Sequence, residues 1–582
     1  MAIAEKVKAP PPAGGGETKI QRCKKRAHAL NDDRATFEPH WREIQRFVSP
    51  RLGRFCLEEQ NRDRKKDQHI YNSTATMASK TLGAGMFSGM TNPARPWFRL
   101  ATFDPNVMEV TAVRDWLYVV EERMRNVLAG SNLYYVLPST YRELGDFGTA
   151  AIYAEPDAKD VIRFYPLTIG TYWLGTDSRR DVDTLRRKLK MTVRQMVEKF
   201  GYENCSATVQ SAWTNGSLET TYDIEHLIQP NVDRDSYKLD AKNKAWSSCY
   251  WEMGNNSDKF LRESGYDNKP FVAPRWDLIG EDTYGSSPGM DALADVKSLQ
   301  VRELQFSEAV EKHIRPPTYG PANLQDRTSS FLPGSHTSIN PGQDSGGIKA
   351  IYQTEPDYAG AVMDKNDIKG RIRDCYYTSL FLAISGQVDD PSKTAYEISQ
   401  INQERLLMLG PVLQRLNSEM LDPIIDMTFE AMLQQSTGLD PSTWLIPPPP
   451  PELAGQPLKV EYTSVLATAL KLLEVGSITQ FMQFIGSVAP LDSQILDVVD
   501  FDQAAQQVGN DLGVPPSIIR SDDDIAAIRQ QKAQQQQQQM LAAQAPAIAQ
   551  YAKAAKDAGQ ATASPGSLLG AAGAAINQGA GG

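Results

Sequence analysis

From Ser287 to residue 435 the chain sets two helical runs around a short insert, then a polar break, then a longer helical run. This order constrains the fold more than any other feature. Ser287 is placed to cap a helix over 288–314, with Pro288 at the first helical position, where a missing N–H costs nothing. Leu293, Val296, Leu299 and Leu304 fall on one face, and Val310 and Ile314 extend it with some drift. "RPPTYGP" ends the run at 315–321. The insert, 315–357, is rich in Pro, Gly, Ser and Thr and carries only short β-like pieces. A second helix is expected over 358–384, followed by the polar break "SGQVDDPSK" at 385–393. The longest helical pattern starts at Thr394, with Ile398, Ile401, Leu409, Val412, Leu413, Leu416, Met420, Ile424 and Met432 on its apolar face. Pro411 and Pro423 lie inside it, which predicts a kink near Gly410-Pro411. The sum is a helical hairpin with a small module at its tip and a loop at its base.

The flanking segments are simpler to read. Residues 1–16 are Pro/Gly-rich and expected to be disordered. Ile20, Ala27, Leu30, Phe37, Trp41, Ile44 and Phe47 recur at helical spacing over 18–48, with breaks near Asn31–Asp32 and Pro39. Residues 51–69 are charge-rich and read as an exposed loop. A helix of small residues covers 71–91. Its Gly83, Gly85 and Gly89 have the wrong spacing for a dinucleotide fingerprint, and close helix–helix approach is the better account. A further helix is expected over 107–129, with Val110, Val113, Leu117, Val120, Met124 and Val127 on one face. Between 150 and 280, "AAIYAEP", "VIRFYPL", "TYWLGT" and "KAWSSCYWEM" read as strands, with a helical insert at 193–200. The fold class is therefore mainly α with an α+β region. "IPPPPPELAG" at 446–455 reads as a spacer and 460–510 returns to helical period. The Gln/Ala-rich tail is expected to be helical when packed against copies of itself and loose otherwise.

Composition excludes several function classes. The 582 residues correspond to about four modules. Lys+Arg total 61 against 71 Asp+Glu, a net charge of −10, which argues against coating nucleic acid through a broad basic face. It does not exclude surrounding DNA without gripping it. No apolar stretch reaches the roughly 18 residues that a membrane span needs. "MAIAEKVKAPPPAGGGETK" has no apolar centre, so no secretory signal is expected there. The five cysteines, at 23, 56, 205, 249 and 375, include no C-x-x-C pair and suit reduced thiols. No two of the six histidines stand four residues apart, as a zinc helix would require.

The common catalytic motifs are missing. The sequence holds no G-x-x-x-x-G-K-[ST] loop and no G-x-S-x-G elbow. Asp522–Asp524 reads as a solvated run, Cys375 as a structural thiol, and His313 as a ring suited to a helix C-terminus. No catalytic residue, metal or cofactor is expected, and the chain reads as a structural protein.

"SGMTNPARPWFRL" (88–100), "EDTYGSSPGMDALADVKSLQ" (281–300) and "TAYEISQINQERLLMLGPVLQRLNSEMLDPIIDMTF" (394–429) together resemble the portal, or head-to-tail connector, family of short-tailed bacteriophages. The likeness runs in order over about 20–510. It implies a ring, typically of twelve copies, at one capsid vertex, with DNA entering and leaving through the central channel. The implied partners are further copies of the chain, the major capsid protein, the terminase, a tail adaptor and double-stranded DNA read without sequence specificity. The implied setting is the virion, after assembly in the host cytoplasm, with no membrane.

Mapped by order, the resemblance makes 17–287 a wing, 288–314 and 358–384 the two stem helices, and 315–357 the clip. It makes 385–393 the tunnel loop, 394–439 a long kinked wing helix, 440–528 the crown, and 529–582 a barrel helix or disordered tail. Channel candidates are Lys393, Ser392 and Gln387 in the loop and Lys365, Lys369, Arg371 and Arg373 on the second stem helix. The competing reading for the stem cations is a salt bridge or a solvated face. Clip candidates for docking terminase or adaptor are Pro316, Pro317, Tyr319, Arg327, Phe331 and His336. Trp97, Phe98 and Trp276 are candidates for the contact between copies, with core packing as the alternative. Another ring-forming head–tail adaptor, or a packaging enzyme, are the other function classes.

Overall fold

A computed structural model describes residues 17–466 except 56–67, 105–106, 109, 236, 239, 255–258, 322–331, 340–348, 351–356, 385–394, 437–443, 454, 456 and 465; beyond them it describes 485, 525, 528–532 and 534–535. The chain divides into two units, 1–481 and 482–582. In the second, Ile485 is buried and the described residues from 525 to 535 are helical.

The first unit opens with α1 (Lys19–Ala35) and α2 (Glu38–Phe47). Thr18 starts α1 through a capping box, accepting from the Gln21 N–H at 3.4 Å while Gln21 Oε1 accepts from the Thr18 N–H at 3.1 Å. The break between the two helices falls at 36–37, not at Asn31–Asp32, and Pro39 sits harmlessly in the first turn of α2. The small-residue helix is α3 (Thr74–Met90), followed by β1 (Phe98–Thr102), α4 (Thr111–Gly130) and α5 (Leu133–Phe147). Gly148 ends α5 at φ +76°, and a Cβ there would sit 2.1 Å from the Gly285 carbonyl oxygen.

Next come β2 (Ala151–Asp157), β3 (Val161–Leu167), β4 (Tyr172–Thr176), β5 (Val182–Thr192), α6 (Val193–Phe200), α7 (Ala207–Thr214), β6 (Thr221–Pro230), β7 (Trp246–Glu252), β8 (Arg262–Tyr266) and β9 (Phe271–Val272). They form an antiparallel sheet of order β4-β5-β6-β7-β8 and a smaller one of order β3-β2-β9. The quoted apolar runs became β2, β3, β4 and β7, and α6 matches its expected span. The helix α5 and the strands β5 and β6 carried no sequence expectation.

The hairpin follows. It consists of α8 (Pro288–Ile314), the strands β10 (Thr318–Pro321), β11 (His336–Ile339) and β12 (Lys349–Ala350), then α9 (Tyr358–Cys375) and α10 (Thr378–Ile384). The insert strands order β11-β10-β12, with β10 parallel to β11 and antiparallel to β12. The helix expected over 358–384 is two helices, because Tyr377 adopts φ +52° between them.

The long helix is α11 (Ala395–Leu416), a π-helical stretch Asn417–Leu421, and α12 (Asp422–Gln435). Pro411 lies within continuous helix, so the irregularity falls at 417–421 rather than at Gly410-Pro411. There Glu419 accepts from Arg275 through both carboxylate oxygens, at 2.7 and 3.2 Å, and also from the Arg275 main-chain N–H at 2.9 Å. Pro423 is in the first turn of α12, where it needs no donor. Leu458–Tyr462, at the start of the segment expected to be helical, is instead β13, which pairs antiparallel with β1.

One main core runs through α2, α3, α4, α5, the roots of α8 and α9, and α11–α12. A second cluster lies under α1 and a third under α6–α7. Trp97, Phe98 and Trp276 are core residues at 2 %, 0 % and 4 % exposure, so they are not a surface for a second copy. No helix among the described residues is long and apolar enough to cross a membrane.

Candidate functional site

The hairpin is rooted in a buried polar hub. Ser287 caps α8, accepting from the Met290 N–H at 3.1 Å, and its own hydroxyl donates to the Asp146 carbonyl at 2.8 Å. One Asp146 carboxylate oxygen accepts from Ser49 Oγ at 2.6 Å and Ser79 Oγ at 2.8 Å. The other accepts from Tyr376 Oη, at the foot of α9, at 3.1 Å. Arg142 closes the group by donating to Ser79 and Ser49 at 3.0 and 2.9 Å. Asp146 is fully buried; burial pushes its carboxyl up, and Arg142 and the three hydroxyls oppose that. Its neighbour Glu143 accepts from the Ile169 N–H at 3.3 Å, and burial pushes it up to about 8. Both feet of the hairpin thus converge on Asp146.

Further in, α3 packs against the foot of the hairpin and against α5 through its glycines. A Cβ on Gly85 would lie 2.3 Å from the Phe381 ring, and one on Gly83 would press on Arg142. Close helix–helix approach is what these small residues provide. Gln300 adds a second polar tie, accepting from the Tyr71 and Asn72 N–H groups at 2.7 and 2.8 Å.

The two hairpin helices run antiparallel, as their partners require. Asp295 pairs with Arg371 at 2.9 Å, Glu303 with Lys365 at 3.1 Å and Arg302 with Asp364, while Phe306 packs edge-on to Tyr358. Lys365 also lies over the Phe306 ring at 3.4 Å. Lys365 is therefore buried within the hairpin, and Arg371 is engaged by Asp295 and Asp367. Of the four basic α9 candidates, Lys369 and Arg373 have no ion-pair partner among the described residues, and Arg373 is exposed.

Burial along α8 changes abruptly. Pro288, Gly289, Ala292, Leu293, Val296, Leu299 and Gln300 are buried, whereas no residue of 301–314 is. Val301, Leu304 and Ile314 expose 55 %, 36 % and 70 % of their surface, and Val362 and Met363 on α9 expose 41 % and 74 %. Several exposed apolar side chains on one pair of helices suit an interaction surface. His313 packs edge-on against Tyr358 in the last turn of α8.

At the tip, Pro316 is half-buried and Pro317 buried. Tyr319 stands opposite Thr337 and Lys349 in the strand register, and His336 opposite Thr318. Arg327 and Phe331 lie outside the described residues, as do Gln387, Ser392 and Lys393 with the rest of 385–393. The sequence reading missed the hub. Its signal was the pair of acids in "RELGDFG", set in an otherwise apolar stretch.

The chain matches the profile of a family described as bacteriophage head to tail connecting protein over residues 20–519. It is 42 % identical over 504 residues to the portal protein of Salmonella phage epsilon15, covering 86 % of this chain and 89 % of that protein. It is 39 % identical over 490 residues to the probable portal protein of Bordetella phage BPP-1, covering 84 % and 87 %. The chain belongs to the bacteriophage head-to-tail connecting protein family.

Proposed function

We propose that the chain is a portal subunit, a structural component of the virion rather than an enzyme. Copies assemble as a ring, of twelve, at one capsid vertex and bound the channel through which the genome is packaged and ejected. The observation that carries this reading is the hairpin: anchored at Asp146, zipped by its own ion pairs, and bearing exposed Val301, Leu304, Ile314, Val362 and Met363 outside the core. Such a surface suits burial against neighbouring copies. A head-to-tail contact of this kind closes into a ring when its rotation closes.

In this reading residues 17–287 form the wing, α8 with α9–α10 the stem, and 315–357 the clip that terminase and, later, a tail adaptor engage through Pro316, Pro317, Tyr319, Arg327, Phe331 and His336. Residues 385–393 form the loop facing DNA, 394–439 the long wing helix, 440–528 the crown and 529–582 a Gln/Ala-rich tail, a barrel helix or disordered. Twelve copies at −10 each carry −120. Tight phosphate pairing would stall sliding DNA, so a mainly acidic wall with few basic groups suits a conduit. Lys393, Ser392, Gln387, Lys369 and Arg373 are the groups assigned to DNA. Lys365 and Arg371 are assigned to the stem's internal pairing, which the distances above support.

Negative-stain electron microscopy of the purified chain tests the reading. Rings with a central channel are expected. Monomers alone under several salt conditions, or rings without a channel, would overturn it. ATP hydrolysis by the purified chain without partners would favour a packaging enzyme instead.

A further inference from the structure

The proline run between α12 and β13 has no part in the proposed function. Pro447 to Pro451 are five successive prolines. Each ring holds φ near −65° and forces extended ψ on the residue before it. Pro447 to Pro450 therefore make a polyproline II rod, with three residues per turn and no hydrogen bonds of its own. Exposure follows that period: Pro447 and Pro450 are half-buried, whereas Pro448, Pro449 and Pro451 are exposed. One edge of the rod lies on the protein and two edges face outward.

Both ends of the rod are fastened. Ile446 is buried and donates its N–H to Ser436 Oγ at 3.0 Å. Leu453 is buried in the main core, and its N–H donates to the Pro450 carbonyl at 3.1 Å. Arg123 of α4 donates to the Trp444 and Leu445 carbonyls at 2.7 and 3.2 Å. Trp116, two turns earlier on the same face of α4, donates from Nε1 to the Pro447 carbonyl at 2.9 Å. The chain thus holds the inner edge with an aromatic side chain and its N–H. On the outer edges the Pro448 and Pro449 carbonyls have no donor among the described residues. Glu452, exposed just beyond them, has no ion-pair partner among those residues.

We propose that Pro448, Pro449 and Pro451 form a docking ridge for a protein partner with an aromatic-lined groove, N–H donors for the ridge carbonyls and a Lys or Arg opposite Glu452. The chemistry of the ridge sets that of the partner. Proline has no N–H, so the ridge offers only acceptors and the partner supplies the donors. Pro448 and Pro451 stand three apart on one edge, the P-x-x-P spacing that aromatic grooves take. The unpaired Glu452 carboxylate at one end selects a cation and fixes the direction of docking. A rod already fastened at both ends loses little freedom on binding, so most of the contact energy appears as affinity.

The test titrates the full chain into a dye-labelled WW domain whose aromatic groove has a basic flank, read by fluorescence anisotropy. Saturable binding of one domain per chain is expected. The double variant Pro448→Ala with Pro449→Ala leaves Ile446, Leu453 and the α4 contacts in place. It should bind at least about tenfold more weakly. Its melting temperature should fall by no more than a few degrees. Glu452→Lys should weaken binding about threefold. No binding to the wild-type chain, or equal binding by the double variant, would overturn the proposal. Rings formed by wild type and lost in the double variant would give the ridge to a second copy and overturn it as well. Binding to a chain that forms no rings would sink the portal reading and leave the ridge standing.

Discussion

The two halves of α8 meet opposite fates. From Pro288 to Gln300 the helix is locked into the core, with Ser287 tying its start to Asp146 and Gln300 tying it to Tyr71 and Asn72. From Val301 to Ile314 no residue is buried, and its order rests on α9, through the exposed pair Arg302–Asp364 and the pair of Glu303 with buried Lys365. A buried hub resists change because removing one member strands the others, whereas surface pairs trade almost evenly with water. The contrast assigns the inner half to holding the fold and the outer half to meeting partners.

The strongest way to break this contrast is at its root. Asp146→Ala strands three hydroxyls and leaves Arg142 without its carboxylate, so a loss of about 3–5 kcal/mol is expected, read as a lower unfolding midpoint in denaturant. A loss under about 1 kcal/mol would mean that the hub does not hold the hairpin.

Next in size is a pH effect at the same root. Glu143 is held near 8 in the folded chain against an ordinary 4.5. For a carboxyl raised on folding, the stabilisation is full below pH 4.5 and is lost as pH rises through 8. Wild type should therefore lose stability relative to Glu143→Gln between pH 5 and 8, by at most about 1.4 kcal/mol per pH unit. Parallel melting curves for the two proteins across that range would refute the assignment.

The smallest effects on folding belong to the outer half. Arg371→Ala removes a solvent-screened pair and should leave the unfolding midpoint of the chain close to that of wild type. Val301→Asp and Met363→Asp should change the chain's own stability by no more than about 0.5 kcal/mol yet abolish assembly, checked by melting and by sedimentation on the same samples. Unfolding by either aspartate would place these side chains in the core after all.

The same division explains what was legible in the sequence. The span of α8, the Ser287 cap and the span of α6 follow from local periodicity and capping, which a single chain displays. The strand β5 hid because the adjacent Arg186 and Arg187 put a charge on each of its two faces. They are buried against partners far away in the chain: Glu225 accepts from Arg186 at 2.5 Å and His226 from Arg187 at 2.9 Å across the sheet. Helix α5 hid behind Pro138 and its two buried acids, whose partners stand far away along the chain. The break at Tyr377 and the π-helical turn at Glu419 answer to tertiary contacts, not to the nearest proline. The same gap covers Lys365, whose basic character is plain in the sequence while its partner Glu303 is visible only in the folded hairpin.

The central claim, that exposed hairpins join copies around a channel, meets its most direct test in negative-stain images of the wild-type chain beside Val301→Asp. The account predicts rings with an open centre for wild type and dispersed single particles for the variant. Identical rings from both, or no rings from wild type at any salt concentration, would contradict it.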